Sequence, residues 1–441
     1  MSQLRNQFRA SEGRYTYLSE RLNGLISFNP SRFTYLTLAQ LHDGEEAGRY
    51  LIYNVQDMLH ICQYGTTDKV PVRSMSFSQP ANNTLPVIPT CHAFQSSADG
   101  YDLLIGLSTG DVIVASLRGQ LQGSAANTKP ITFLHYNADG AVDGRSCTSV
   151  CWIPKSEGSL FAAAHSSGSL YFYNKGASIA AESRFSMKVG PGKGPTFTVS
   201  VPGGGINAIA AAPDGSKVAT VSRDGVMRVY ETSTSRLVTG FKSYYGGALC
   251  IAWSADGRYI AVGGEDDLVT VFGLAERGVV AWCQGHTSWV SHVAFDSWVW
   301  QQEDEAEPTG RQIVRTTSGM SASGVDVIYR LGSVGQDCQL MLWDITLTSD
   351  GLLASLPTGR DAAELIAAAV PRAEMIFTPP TVQARIHHEP LSDLLFTPEA
   401  LFTADQGGQV KCWQRPPLMA TPAVSLSDGP EADPCAQQQQ R

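Results

Sequence analysis

Gly285-His286-Thr287-Ser288-Trp289, answered by Gly332-Ser333-Val334-Gly335-Gln336-Asp337 and closed by Leu342-Trp343-Asp344, constrains this chain more than any other feature. Asp337 follows Ser333 by four residues and precedes Trp343 by six. That spacing predicts Ser333 in one strand, Asp337 in a tight turn and Trp343 in the next antiparallel strand. His286, Ser333, Asp337 and the indole N–H of Trp343 can then form one buried hydrogen-bonded chain, satisfying polar groups that are costly to bury alone. Such a tetrad ties the loop leading into a small sheet to the middle of that sheet. A hydrolase triad would use the same residue types, but its serine must stand exposed beside an oxyanion hole, whereas Ser333 reads as mid-strand. No catalytic residue is expected.

The pattern repeats. Ala212-Pro213-Asp214-Gly215 and Ser254-Ala255-Asp256-Gly257 are equivalent turns 42 residues apart, and Tyr230 and Phe272 recur at the same distance. A period of about 40 to 45 residues with a Gly-His opening and a Trp-Asp close is the signature of WD repeats, each one four-stranded blade of a propeller. The expected fold is all-β, a seven-bladed WD-repeat β-propeller with surface-loop insertions, spanning residues 31–415. Arg32–Leu38, Arg49–Val55 and Met58–Cys62 read as a degenerate first blade. Residues 89–115 and 147–173 give the second and third, with Tyr173 at the Trp position. Blade four keeps Thr220, Asp224 and Tyr230, while blade five keeps Asp266 but has Val262 and Phe272 in place of Ser/Thr and Trp. Blade seven is read from residues 391–413.

Insertions are expected at about 175–205, 301–324 and 347–383. The first contains Gly190-Pro191-Gly192-Lys193-Gly194, whose Gly-Lys lacks the following Ser/Thr of a phosphate loop, so a surface loop is the reading. The second opens on the acidic run Gln301–Pro308 and reads as solvated. The third includes Asp361–Val370, a short helical pattern stopped by Pro371. Residues 1–30 form an N-terminal segment whose Tyr15–Leu18 could complete the last blade, since closure removes sheet edges. The tail, 416–441, is expected to be largely disordered.

Composition narrows the function classes. A net charge of −9 without a Lys/Arg cluster disfavours nucleic acid. The nine cysteines include no Cys-x-x-Cys pair, and His165, His292 and His387-His388 lack converging ligands, so neither metal nor cofactor is expected. Met1–Ala10 has no apolar core of a signal peptide, and no run of about 18 apolar residues could cross a bilayer, so the expectation is no membrane and a cytoplasmic or nuclear location. Tyr244, Tyr245 and Trp289 fall in the loops leading into the first strands of successive blades, where large aromatics are interface anchors. Trp298 and Trp300 read as packing residues.

Several longer runs carry a closer resemblance: Pro89-Thr90-Cys91-His92, Ala164–Gly168, Lys242–Gly247, Gly263–Val271, Ser288–Ser291 and Tyr329–Asp337. Over about residues 30 to 415 the chain resembles the WD-repeat proteins that bind and activate ubiquitin-specific proteases, which include the CreC catabolite-repression proteins and the dystrophia-myotonica WD protein. The resemblance implies a deubiquitinase regulator whose partner is a ubiquitin-specific protease, with a second WD-repeat propeller protein as a further candidate partner. It also implies that Tyr245, where the family has Phe, and Trp289 contact the protease. The family's long region between blades six and seven is shorter here. The alternative is a general scaffold or peptide-reading propeller unconnected with ubiquitin.

Overall fold

The computed structural model of the chain describes residues 4–21, 33–65, 70–78, 86–97, 100–123, 127–131, 133–175, 194–298, 311–314, 326–348 and 365–416. Seven sheets, antiparallel except for a short parallel edge strand on two of them, are arranged in a ring, and the first strand of each contacts the first strands of both neighbours, from Leu36–Leu41 round to Leu391–Phe396 and back. The fold is therefore a seven-bladed β-propeller. Blades sandwiched between neighbours bury both faces, which is why inner segments read as continuous apolar runs instead of alternating. Leu268–Gly273 is buried along its whole length. Between blades five and six, Tyr259, Val271, Val293, Leu331 and Trp343 form one such apolar seam.

Blade seven is assembled from both parts of the chain. Leu391–Phe396, Ala400–Asp405 and Val410–Gln414 are joined by Gly13–Arg21, antiparallel to Val410–Gln414, and then by Gln7–Ala10. Two buried arginines lock this junction. Arg330 Nη1 donates to Glu12 Oε1 at 2.5 Å and its Nε to Asp344 Oδ1 at 2.6 Å. Arg415 donates to Asp296 Oδ1 at 2.7 Å and to the hydroxyl of the fully buried Tyr15 at 3.0 Å. Burial alone would raise the Glu12 carboxyl, but the hydrogen bonds and charge of Arg330 outweigh it and hold it below its usual value.

The insertions differ from their sequence reading. Phe197–Ser200, inside the expected 175–205 loop, is the outer strand of blade three, while Gly190–Lys193 lie outside the described residues. Arg311–Val314, inside the expected 301–324 loop, pairs antiparallel with Asp326–Tyr329, and the acidic run 301–308 lies outside the described residues. The helix expected at Asp361–Val370 is not formed where the chain is described. Ile366–Ala367 instead pair in parallel with Gly240–Phe241 at the outer edge of blade four, and Phe377–Thr378 pair with Trp282–Cys283 of blade five. An isolated turn of helix is too short to hold itself, whereas an open sheet edge offers backbone partners immediately. Val382–Arg385 then forms the outer strand of blade six. The tail 417–441, residues 361–364 and Trp300 lie outside the described residues.

Candidate functional site

The loops that lead into first strands and the turns between second and third strands share one end of the propeller, because strands alternate in direction. Trp289 sits in such a loop ahead of Val290–Phe295. Its backbone is fixed from below. The carbonyl of Trp289 accepts from Gln336 N–H at 2.9 Å, and Asp337 accepts from Thr287 N–H at 3.0 Å. Asp337 lies 3.0 Å from His286 Nδ1, and His286 Nε2 lies 2.7 Å from Ser333 Oγ. Burial pushes the Asp337 carboxyl up, but the bonds and charge of His286 outweigh that and hold it below the usual carboxylate range.

Three of the four tetrad residues thus come together as expected. The fourth does not. Trp343 is fully buried, yet its indole N–H donates to the carbonyl of Thr378 at 3.2 Å instead of to Ser333. The cause is the short strand at Phe377–Thr378, which brings a backbone acceptor beside the ring.

The complete tetrad is in blade seven, where sequence reading missed it. His387 Nδ1 is 2.8 Å from Asp405, His387 Nε2 is 2.9 Å from Thr403 Oγ1, and Trp413 Nε1 donates to Thr403 at 3.0 Å. Gly407 stands six residues before Trp413, where blade six has Asp337; the carboxylate comes from two residues earlier. A His four residues ahead of Leu391, as His286 is ahead of Val290, was the available signal. Blade four departs too: Asp224 is held by Ser222 at 2.7 Å and Arg228 at 2.6 Å, not by Thr220.

Tyr244 and Tyr245 occupy the corresponding loop before blade five. Gly246 turns the chain there at φ +65°, and a Cβ on it would lie 2.7 Å from the Glu265 Cβ, so this sharp turn needs glycine. Ser243 N–H donates to Gly225 O at 2.7 Å and Gly247 N–H to Glu265 Oε2 at 2.8 Å, anchoring both ends of the loop. The side chains between those anchors face water: Tyr245 is 69% exposed, Tyr244 44% and Trp289 43%. Trp298 packs instead against the buried cluster that includes Phe8 and Tyr15. His165 is buried with Nδ1 3.0 Å from Arg145 O, and no group of three metal-ligating side chains occurs among the described residues. No helix among them is long and apolar enough to cross a membrane.

Two segments, 194–231 and 235–272, match the WD domain, G-beta repeat family. The chain carries WD repeats. Each match takes the outer strand of one blade together with the three inner strands of the next: Phe197–Ser200 of blade three with blade four, and Leu237–Lys242 of blade four with blade five. The WD-repeat ring is also similar to a chain in the crystal structure of the mitotic checkpoint complex, at 13% identity and a TM-score of 0.54, covering 91% of this chain and 92% of that one. At that identity the likeness speaks for the fold. A WD propeller is suited to protein–protein interaction.

Proposed function

We propose that this chain is a non-catalytic WD-repeat subunit that binds a ubiquitin-specific protease and raises its turnover, docking through Tyr244, Tyr245 and Trp289. The observation that carries the reading is the combination of a fixed backbone and exposed aromatic side chains on adjacent blades at one end of the ring. Rigid aromatic anchors bury much apolar area while freezing few rotamers, the usual basis of a binding hot spot. Activation follows if the bound surface favours the productive conformation of the protease over its idle one. The resemblance at Lys242–Gly247 and Ser288–Ser291 supports a protease as the partner, and a second propeller protein would add to the same assembly in the cytoplasm or nucleus.

The test is a pull-down of purified ubiquitin-specific proteases by the full chain, followed by hydrolysis of a fluorogenic ubiquitin substrate. One protease is expected to be retained and its turnover raised, with no hydrolysis by the chain alone. Failure to retain any such protease while other proteins are retained would favour a general scaffold.

A further inference from the structure

Asp266 occupies in blade five the place of Asp224 in blade four and of Asp337 in blade six. Each of those carboxylates has a dedicated partner: Arg228 and Ser222 hold Asp224, and His286 holds Asp337. Forty-two residues beyond Arg228 and Ser222 stand Thr270 and Gly264, too short to reach. The position matching His286, four residues ahead of the first strand, is Tyr244. Every side-chain partner that the sister blades aim at this carboxylate is therefore missing, and only the backbone N–H two residues on is kept, yet Asp266 is only 8% exposed. The one hydrogen bond it receives from another residue, among the described residues, is from Leu268 N–H at 3.3 Å.

A buried carboxylate without a counter-ion is expensive to keep ionised. Burial, aided by the nearby Asp267 and opposed by Arg372, pushes the Asp266 carboxyl up to about 6. Lys242 borders the same space, and Arg372 acts on Asp266 through its charge without a hydrogen bond to it among the described residues. Beside the carboxylate lies a cavity of about 10 Å³, walled by Phe241, Tyr244, Thr270, Trp282 and Met375. Such a space takes one water-sized group. Thr270 and Tyr244, the residues that replace the arginine and histidine of the sister blades, both line it. The cavity thus stands where those blades place a donor or cation, and it borders the exposed aromatic loop.

We propose that this cavity receives a lysine ammonium of the protein partner that docks on Tyr245 and Trp289, with Asp266 as its counter-ion. The inference rests on the docking face described above. An ammonium is compact and matches the space, whereas a planar guanidinium does not. Glu265 and Asp267 flank Asp266 in sequence, so three carboxylates stand against the two cations Lys242 and Arg372 in this region, and aromatic walls favour a cation.

The first experiment needs no protease. In the full chain with 13C-labelled aspartate, the Asp266 carboxyl, assigned with Asp266→Asn, is titrated with n-butylammonium and, separately, with tetramethylammonium at equal ionic strength. A bound primary ammonium favours the carboxylate, so n-butylammonium should lower the midpoint by about half a pH unit or more while the bulkier ion leaves it in place. An unchanged midpoint, or equal shifts with both ions, overturns the proposal. So does an n-butylammonium shift seen in Lys242→Gln but not in the wild type, which would mean the chain's own lysine fills the cavity. In the second experiment, the wild type should lose affinity for the protease between pH 7 and 5 as Asp266 is protonated, and Asp266→Asn should bind about tenfold more weakly at pH 7.5 and lack that loss. Equal binding by the variant overturns the lysine site but leaves the docking face standing. A wild type that binds no protease removes the docking reading, while the titration still tests the cavity.

Discussion

His387 Nδ1 and Asp405 Oδ2 lie 2.8 Å apart, and neither side chain reaches solvent. Thr403 and Trp413 complete the chain of bonds, so blade seven is fastened by a tetrad at the place where the N-terminal strand closes the ring. The position that closes the circle is held by more than backbone pairing.

His387→Ala leaves Asp405 and Thr403 without their shared partner in a buried setting. Loss of a buried hydrogen-bonded group of this kind costs about 1 to 3 kcal/mol. Urea unfolding of His387→Ala and His286→Ala should show losses of that size in both. An unchanged midpoint in His387→Ala would mean that packing, not the tetrad, holds blade seven.

The N-terminal closure depends on Arg415 and Asp296, whose side chains are 6% and 0% exposed. Removing one member of a buried pair strands the other charge, at a cost of about 3 to 5 kcal/mol. Arg415→Met should therefore be strongly destabilising, whereas Arg49→Met, which breaks an exposed pair with Glu399, should cost about 1 kcal/mol or less. Comparable losses in the two variants, measured by thermal unfolding, would contradict the assignment of the latch.

Asp266 gives a pH signature of opposite sign to Asp337. Its folded value, about 6, lies above its ordinary 3.8, so the folded chain binds the proton more tightly than the unfolded one. Its contribution is fully present below about pH 4 and is lost as pH rises through 6. The shift corresponds to roughly 3 kcal/mol at about 1.4 kcal/mol per pH unit. Asp266→Asn should thus match the wild type near pH 4 and exceed it in stability at pH 8, with the gap opening between those limits. A constant difference across that range would show that Asp266 does not titrate in this window. Asp337, held below its ordinary value, acts the other way: its stabilising effect is lost as pH falls.

Tyr245→Ala and Trp289→Ala remove exposed side chains from loops whose backbones are anchored independently. Melting should stay close to wild type, while binding to the cognate protease weakens at least about tenfold for each. A core aromatic would instead lose about 3 to 5 kcal/mol of stability on truncation. Folded variants that bind and activate the protease normally would exclude this face as the docking site.

The repeat period and the placement of Ser333, Asp337 and His286 were legible in the residues themselves, because blade geometry fixes those spacings within one sheet. Exposure of Tyr245 and Trp289 followed from the same local logic, since the loop ahead of a first strand has solvent on one side. Within blade seven, the His387–Asp405 pair escaped the pattern because the carboxylate stands two residues off the usual spacing. What crossed between blades was not legible. Trp343 found Thr378, and Ile366–Ala367 became a strand, because distant sheet edges supplied backbone partners that no local pattern encodes. Asp266 could be read as a tetrad remnant, but its burial with no side-chain partner among the described residues, and the cavity beside it, arise from how Thr270, Tyr244 and the 368–375 segment pack around it. Local spacing sets hydrogen bonds within a blade; desolvation and contacts between blades depend on neighbours that only the closed ring brings near.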